Sequence, residues 1–146
     1  MQIIGLLFHI GVVFALALSE GEHDARTIMR GAYIDHVRGW LVRASFMVLC
    51  GAAVISIFGA FTLQVVLGMS LISAFGFSAL FRYRLNKVRS LSPYYVSPSN
   101  YYDRFFISIT NIGAVKDEEY DINSAGRVAY ITEGVLFTVG VVLTFC

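Results

Sequence analysis

The chain has 146 residues, of which 57% are hydrophobic and 14% charged, and its formal net charge is +1. That length suits one domain and is too short for two ordinary ones, and so small a net charge offers no footing for a nucleic-acid partner. Soluble domains run near a quarter charged; with a mean hydropathy of +0.69, this chain has more apolar surface than an aqueous fold can bury, so lipid must solvate part of it.

A membrane-spanning helix needs about 20 apolar residues, in a range of roughly 17–25. Residues 1–19 form the first such run, with His9 its only ionisable side chain. Ala15-Leu16-Ala17 has the small-x-small form of a signal-peptide cleavage site, but no Lys or Arg precedes the run and the chain opens on Met1. A retained span is therefore expected.

A polar segment, 20–43, comes next. Ser19-Glu20-Gly21-Glu22 has the S-x-x-E form of a capping box, Glu22 and Asp24 stand where a helix dipole favours acids, and Glu22 precedes Arg26 by one helical turn. Ala25, Ile28, Met29, Ala32, Tyr33, Val37, Trp40 and Leu41 recur at helical spacing. The segment is predicted to be an amphipathic juxtamembrane helix, bent at Gly31, that leads into the second span with Trp40 and Arg43 at headgroup level.

Residues 44–81 carry no charge, and Gln64 is their only side-chain amide. As one helix this run would be about 57 Å long, almost twice the ~30 Å hydrocarbon core, so it must fold back. A turn around Gly59 to Gln64 gives spans near 44–60 and 64–81. Ala52, Ser56 and Ala60 repeat every fourth residue in one, and Ser70, Ala74 and Ser78 do so in the other. Such small-residue ladders let helices approach closely in lipid, and they predict that the second and third spans pack on each other, with association with another protein's helix as the rival use. The first and fourth spans have no ladder of this quality and are expected to face lipid or a partner.

The second polar segment, 82–128, opens with Arg82, Arg84, Lys87 and Arg89, a basic cluster of the kind that suits anionic headgroups at about 1 kcal/mol per charge; the alternative is a topology signal only. Ser97-Pro98 reads as an N-cap with proline at the first helical position. Tyr102, Phe105, Phe106 and Ile109 then share an apolar face, and Tyr94, Tyr95, Tyr101 and Tyr102 suit an interface where a ring is buried and its hydroxyl stays wet. The stretch 105–115 is too short to span and is expected to lie in the interface. Asp103 and Arg104 are expected to pair with the basic cluster or with Arg38 and Arg43, docking the aromatic loop on the first polar segment.

The last run, 129–146, has Glu133 in its first turn. The expected architecture is an all-α membrane bundle forming one domain with four spans; three spans with a C-terminal interfacial segment is the alternative. All eleven Lys and Arg lie in 20–43 and 82–128, which four spans put on one side of the bilayer. Basic residues near span ends favour the cytoplasm, so both polar segments are expected inside and both termini on the opposite side.

Candidate chemistry is sparse. Glu22-His23-Asp24 and Asp35-His36 are the one place a metal could gather ligands, but zinc or iron needs several converging on one point. His23 and His36 would stand about 20 Å apart along one helix axis unless Gly31 breaks it into a hairpin. His9, at mid-span, is a functional candidate by position, though a neutral histidine can serve packing. Glu133 is expected to reach the interface, and Gln64 to sit at the hairpin tip. Cys50 and Cys146 fall at different depths, so no disulfide is expected. With no nucleophile elbow, P-loop, dinucleotide fingerprint or H-E-x-x-H, no cofactor is expected and enzyme activity has no sequence support.

Gly31-Ala-Tyr-Ile-Asp-His36, the hydrophobic hairpin, Arg82-Tyr-Arg-Leu-Asn86 and Pro93-Tyr-Tyr-Val-Ser-Pro-Ser-Asn-Tyr-Tyr-Asp-Arg-Phe105 resemble, over residues 20–105, a group of short polytopic membrane proteins encoded by bacteriophages and Bacteroidetes-type bacteria. Ser97-Pro98-Ser99 stands where that group tends to have Gly-x-Thr. The resemblance implies a fold and a phage context, and no activity. The function expected is that of a non-enzymatic structural or accessory membrane protein, assembling with itself or within a virion membrane or a respiratory or photosynthetic complex. The alternatives are a holin-like lysis protein and a metal- or lipid-dependent membrane enzyme around His23 and His36.

Overall fold

The structure, a computed structural model, describes residues 3–34, 36–58, 62–98, 100–110 and 122–145, with the side chains of residues 36–38, 58 and 101 outside that description. It is all-α, with no strand among the described residues. Its helices are α1 (Ile3–Met29), α2 (His36–Phe58), α3 (Leu63–Leu71), α4 (Phe77–Val88), α5 (Tyr101–Thr110) and α6 (Ile122–Phe145), and a π-helical turn, Ile72–Gly76, joins α3 to α4 without a break. Four stretches are long and apolar enough to cross a membrane: Ile3–Met29, Gly39–Ile57, Leu63–Val88 and Ile122–Phe145.

The span boundaries differ from those expected of 1–19, 44–60, 64–81 and 129–146. Ser19 starts no helix: α1 runs through it to Met29. The capping-box residues are interior, because Glu20, Glu22 and Asp24 are satisfied sideways by arginines rather than by free amides at a helix start. Nor is 20–43 one helix. α1 ends in a Schellman closure, with Gly31 N donating to Ile28 O at 2.9 Å and Ala32 N to Thr27 O at 3.1 Å. Gly31 supplies the left-handed conformation (φ 71°) that this closure requires. α2 then returns along α1.

At the next turn Thr62 caps α3 through its hydroxyl, which accepts from Val65 N at 3.2 Å; the expected turn residues 59–61 lie outside the described residues, and Gln64 sits in the first turn of α3. α4 ends in a second Schellman closure, Leu91 N to Asn86 O at 2.9 Å and Ser90 N to Lys87 O at 3.2 Å, with Ser90 left-handed (φ 57°). Ser97-Pro98 does not open α5, which begins at Tyr101. Asn100 caps it instead, its Oδ1 accepting from Tyr102 N at 2.9 Å, while Ser97 N is turned toward Asp103.

α1 packs chiefly on α4 and α3 on α6, while α2 lies against α1 and only lightly against α3. The expected pairing of the second and third spans is therefore replaced. Ala52, Ser56, Ser70 and Ala74 are exposed and face away from the bundle, Ser78 turns inward to donate to Glu133 of α6 rather than to the second span, and Ala60 lies outside the described residues. Close approach is achieved by glycines on the very spans expected to lack it. A Cβ on Gly21 of α1 would stand 2.7 Å from Phe81 O, and one on Gly140 of α6 would stand 2.8 Å from Gly68 O. In lipid, where apolar burial gives no net drive, this backbone contact is what holds helices together.

One apolar core lies toward the termini, formed by Leu6, Val54, Ile55, Val65, Met69 and Ile72. A second, at the polar end, joins Val96, Phe106 and Ile107 to Ala125 and Ala129. The described charged residues gather at that second end.

Candidate functional site

The polar end is organised around Arg82, one turn and a half before the end of α4. Its side chain is buried, 6% exposed, and forms a two-pronged pair with Glu133 of α6: Nη1 to Oε2 at 2.9 Å and Nη2 to Oε1 at 3.1 Å. Glu133 is 0% exposed. Its Oε1 also accepts from Ser78 Oγ at 2.7 Å and from the Tyr102 hydroxyl at 3.0 Å. Nη2 of Arg82 reaches Asp103 of α5 at 3.4 Å, and Asp103 Oδ2 accepts from Ser97 N at 2.8 Å. The guanidinium also lies against the rings of Tyr102 and Tyr130, 5.8 and 5.4 Å from their centroids. One cation thus binds α4 to α5 and α6.

A carboxylate with no exposed surface is out of reach of bulk water. It persists there because a fork of two N–H donors and two hydroxyls replaces its hydration. Burial and the Glu133 charge push the Tyr102 hydroxyl up to about 12, from 10.0. Burial likewise raises Asp103 above its ordinary value, against the lowering effect of the Ser97 amide and Arg82.

Two further ion-pair groups bind α1. Arg43 of α2 donates to Glu20 at 2.9 Å and to Asp24 at 2.7 Å, with its guanidinium 4.9 Å from the Phe81 ring centroid. Glu22 is shared by Arg84 of α4 and Arg26 of α1. Asn86, 1% exposed, donates to Tyr95 O at 2.8 Å and Pro93 O at 3.3 Å, drawing the aromatic loop back onto α4.

The residues expected at the headgroups divide accordingly. Arg82 is removed from that set by burial, and Arg84 and Arg43 are spent on acids of α1; a position just after an apolar run does not tell a headgroup ligand from a helix clamp. Trp40, Lys87 and Tyr94 are exposed, and Arg89 and Tyr95 are half-buried. Lys87 stacks on Tyr83, 5.6 Å from its centroid. The Tyr101 side chain lies outside the described residues. Glu133, expected at the interface, is internal. Asp103 does pair with the basic cluster, through Arg82, whereas Arg104 donates to Pro98 O at 2.6 Å.

A smaller polar contact lies deeper. His9, 1% exposed, places Nε2 2.8 Å from Ser73 Oγ in the π-helical turn. Among the described residues its Nδ1 has no side-chain hydrogen-bond partner. Between this pair and the Arg82 cluster sits an apolar layer in which the rings of Phe14 and Phe137 meet at 6.0 Å, flanking Gly76. Cys50 is a free, half-buried thiol. Among the described residues no three His, Cys, Asp or Glu side chains come together in a way that could hold a metal ion; Asp35 and the His36 side chain lie outside them.

No family model, curated protein or solved structure matches this chain.

Proposed function

We propose that this protein is a non-enzymatic, accessory multi-pass membrane protein that assembles in the bilayer with itself or with a larger complex, such as a virion membrane or an energy-transducing assembly. The supporting observation is how the buried charges are used. Both oxygens of Glu133 are taken up by Arg82, Ser78 and Tyr102, and the acids of α1 by Arg43, Arg84 and Arg26. These groups bind helices to one another, as structural ion pairs do, and present no carboxylate toward a substrate cavity. The surface for assembly is the outer face of α2, the span with the smallest buried share, where Ala52 and Ser56 stand exposed among Val48, Leu49 and Ile57. The polar end is assigned to the cytoplasm and both termini to the opposite side, on the rule that Lys and Arg flank spans on the inner face.

Purification from mild detergent, with crosslinking in intact membranes beforehand, tests the reading. A homo-oligomer or a stoichiometric partner is expected, with a cysteine at Ser56 forming crosslinks. A lone chain before and after crosslinking overturns it; so does membrane leakage on expression, the mark of a lysis protein, or metal retained by the wild type and lost on His36→Ala.

A further inference from the structure

Facing outward from the cluster, α6 presents a cation and then a trough. Arg127 is exposed and forms no ion pair among the described residues; its guanidinium rests on the Tyr94 ring, 5.4 Å from the centroid. Two turns deeper on the same face, a Cβ on Gly134 would meet nothing within 4 Å among the described residues. A shallow, open apolar trough runs along this one face of α6, lined by Tyr130, Ile131, Gly134, Val135, Thr138 and Val139.

The trough is apolar in character. The Thr138 hydroxyl is turned back to donate to Gly134 O at 2.8 Å, which leaves its methyl group to the surface. At the head, Tyr130 is fixed between the Tyr94 ring, edge-on at 5.9 Å, and the Arg82 guanidinium. From Arg127 to Val139 the helix descends about 18 Å, close to one leaflet of a ~30 Å core. Below Val139 the same side is filled by Val142 and Phe145, 54% and 56% exposed.

A cation at the polar end, an apolar trough beneath it and a length of one leaflet describe a lipid. We propose that this face binds one phospholipid with an anionic headgroup from the leaflet at the polar end, its phosphate on Arg127 and one acyl chain in the trough as far as Val139. A partner helix fits less well, because it would need the trough to continue through the second leaflet, where Val142 and Phe145 project. The proposal rests on the membrane reading above but not on assembly.

Native mass spectrometry of the purified full chain, titrated with phosphatidylglycerol or phosphatidylcholine, tests it. The wild type is expected to hold one phosphatidylglycerol in preference to phosphatidylcholine. Arg127→Gln is expected to weaken that binding about fivefold, the worth of one cation near an anionic surface. Gly134→Leu, which fills the trough from a position with open space, is expected to do the same with unchanged helical content. Arg30→Gln, an exposed cation at the end of α1, is the control. The site is overturned if the two lipids bind alike, if Gly134→Leu matches the wild type, or if Arg30→Gln weakens binding as much as Arg127→Gln, which would mean diffuse surface charge only. Protection of a cysteine at Gly134 by a crosslinked protein chain would also overturn it. Crosslinking of the same variants scores assembly separately, so lost lipid preference with intact oligomers counts against the lipid site alone.

Discussion

Glu133 of α6 receives both terminal nitrogens of Arg82 from α4, at 2.9 and 3.1 Å, in a contact from which water is shut out. Fifty-one positions separate the two residues in the chain, so the pair closes the last helix onto the third span. Removing one member strands the other charge, which costs about 3–5 kcal/mol, whereas replacing both by apolar groups is often close to neutral. Glu133→Leu is accordingly expected to be severely destabilising, and Arg82→Leu with Glu133→Leu to recover most of the loss. Thermal unfolding in detergent measures this; additive losses in the double variant would contradict the pairing.

The pH response follows from the two groups of α5 in the same cluster. The Tyr102 hydroxyl sits at about 12 in the folded protein against 10.0 when free. A raised value means the folded state holds its proton more tightly, so this contribution to stability is complete below pH 10 and is lost as pH rises toward 12. Tyr102→Phe is expected to flatten that part of the alkaline unfolding curve; an unchanged slope would count against it. Asp103 is also raised, so its contribution is largest below its ordinary value of 3.8 and declines as pH climbs through the folded one. Asp103→Asn should gain stability relative to wild type as pH rises over that interval.

The glycine contacts predict a contrast between positions that look alike in sequence. Gly140 faces the backbone of Gly68, and Gly134 faces open space. Overpacking a tight contact costs typically 1–3 kcal/mol. Gly140→Ala is therefore expected to lower the melting temperature by several degrees, and Gly134→Ala to leave it unchanged or raise it slightly. Equal effects would show that α3 and α6 do not meet there.

His9 and Ser73 make a further test. Ser73→Ala removes the Ser73 hydroxyl from the Nε2 of the buried imidazole, and a stranded buried polar group costs about 1–3 kcal/mol. His9→Leu together with Ser73→Ala is expected to be better tolerated than Ser73→Ala alone, as read by denaturation. The reverse order would indicate that the imidazole finds other partners.

The spans were legible in sequence because uninterrupted apolar runs have few other uses. Their ends were not. Glu20, Glu22 and Asp24 look like the start of a new polar helix, yet they lie inside α1 because Arg43 and Arg84 neutralise them from neighbouring helices. That information is tertiary. The cluster was half legible: a lone carboxylate within an apolar run calls for a cation, and Glu133 with Arg82 was the pairing to seek. Adjacency to a span end made both look interfacial instead. The ladders misled for another reason. Small residues four apart mark a smooth helix face without saying which way it turns, while the actual contacts rest on Gly21, Gly68, Gly126 and Gly140, spaced too irregularly to stand out.

The π-helical turn at Ile72–Gly76 has a consequence for how the third span reads its neighbours. One added residue per turn advances the helix by roughly 100° relative to an uninterrupted α-helix. That offset lets a single span lay α3 against α6 before the turn and α4 against α1 after it, while Ser78 and Arg82 still reach Glu133 of α6. The span behaves as two cams on one shaft, keyed at a fixed angle. Deleting one residue within the turn would re-key them and swing Arg82 away from Glu133, though every side chain in the cluster remained. At this point of the chain the count of residues matters more than their identity.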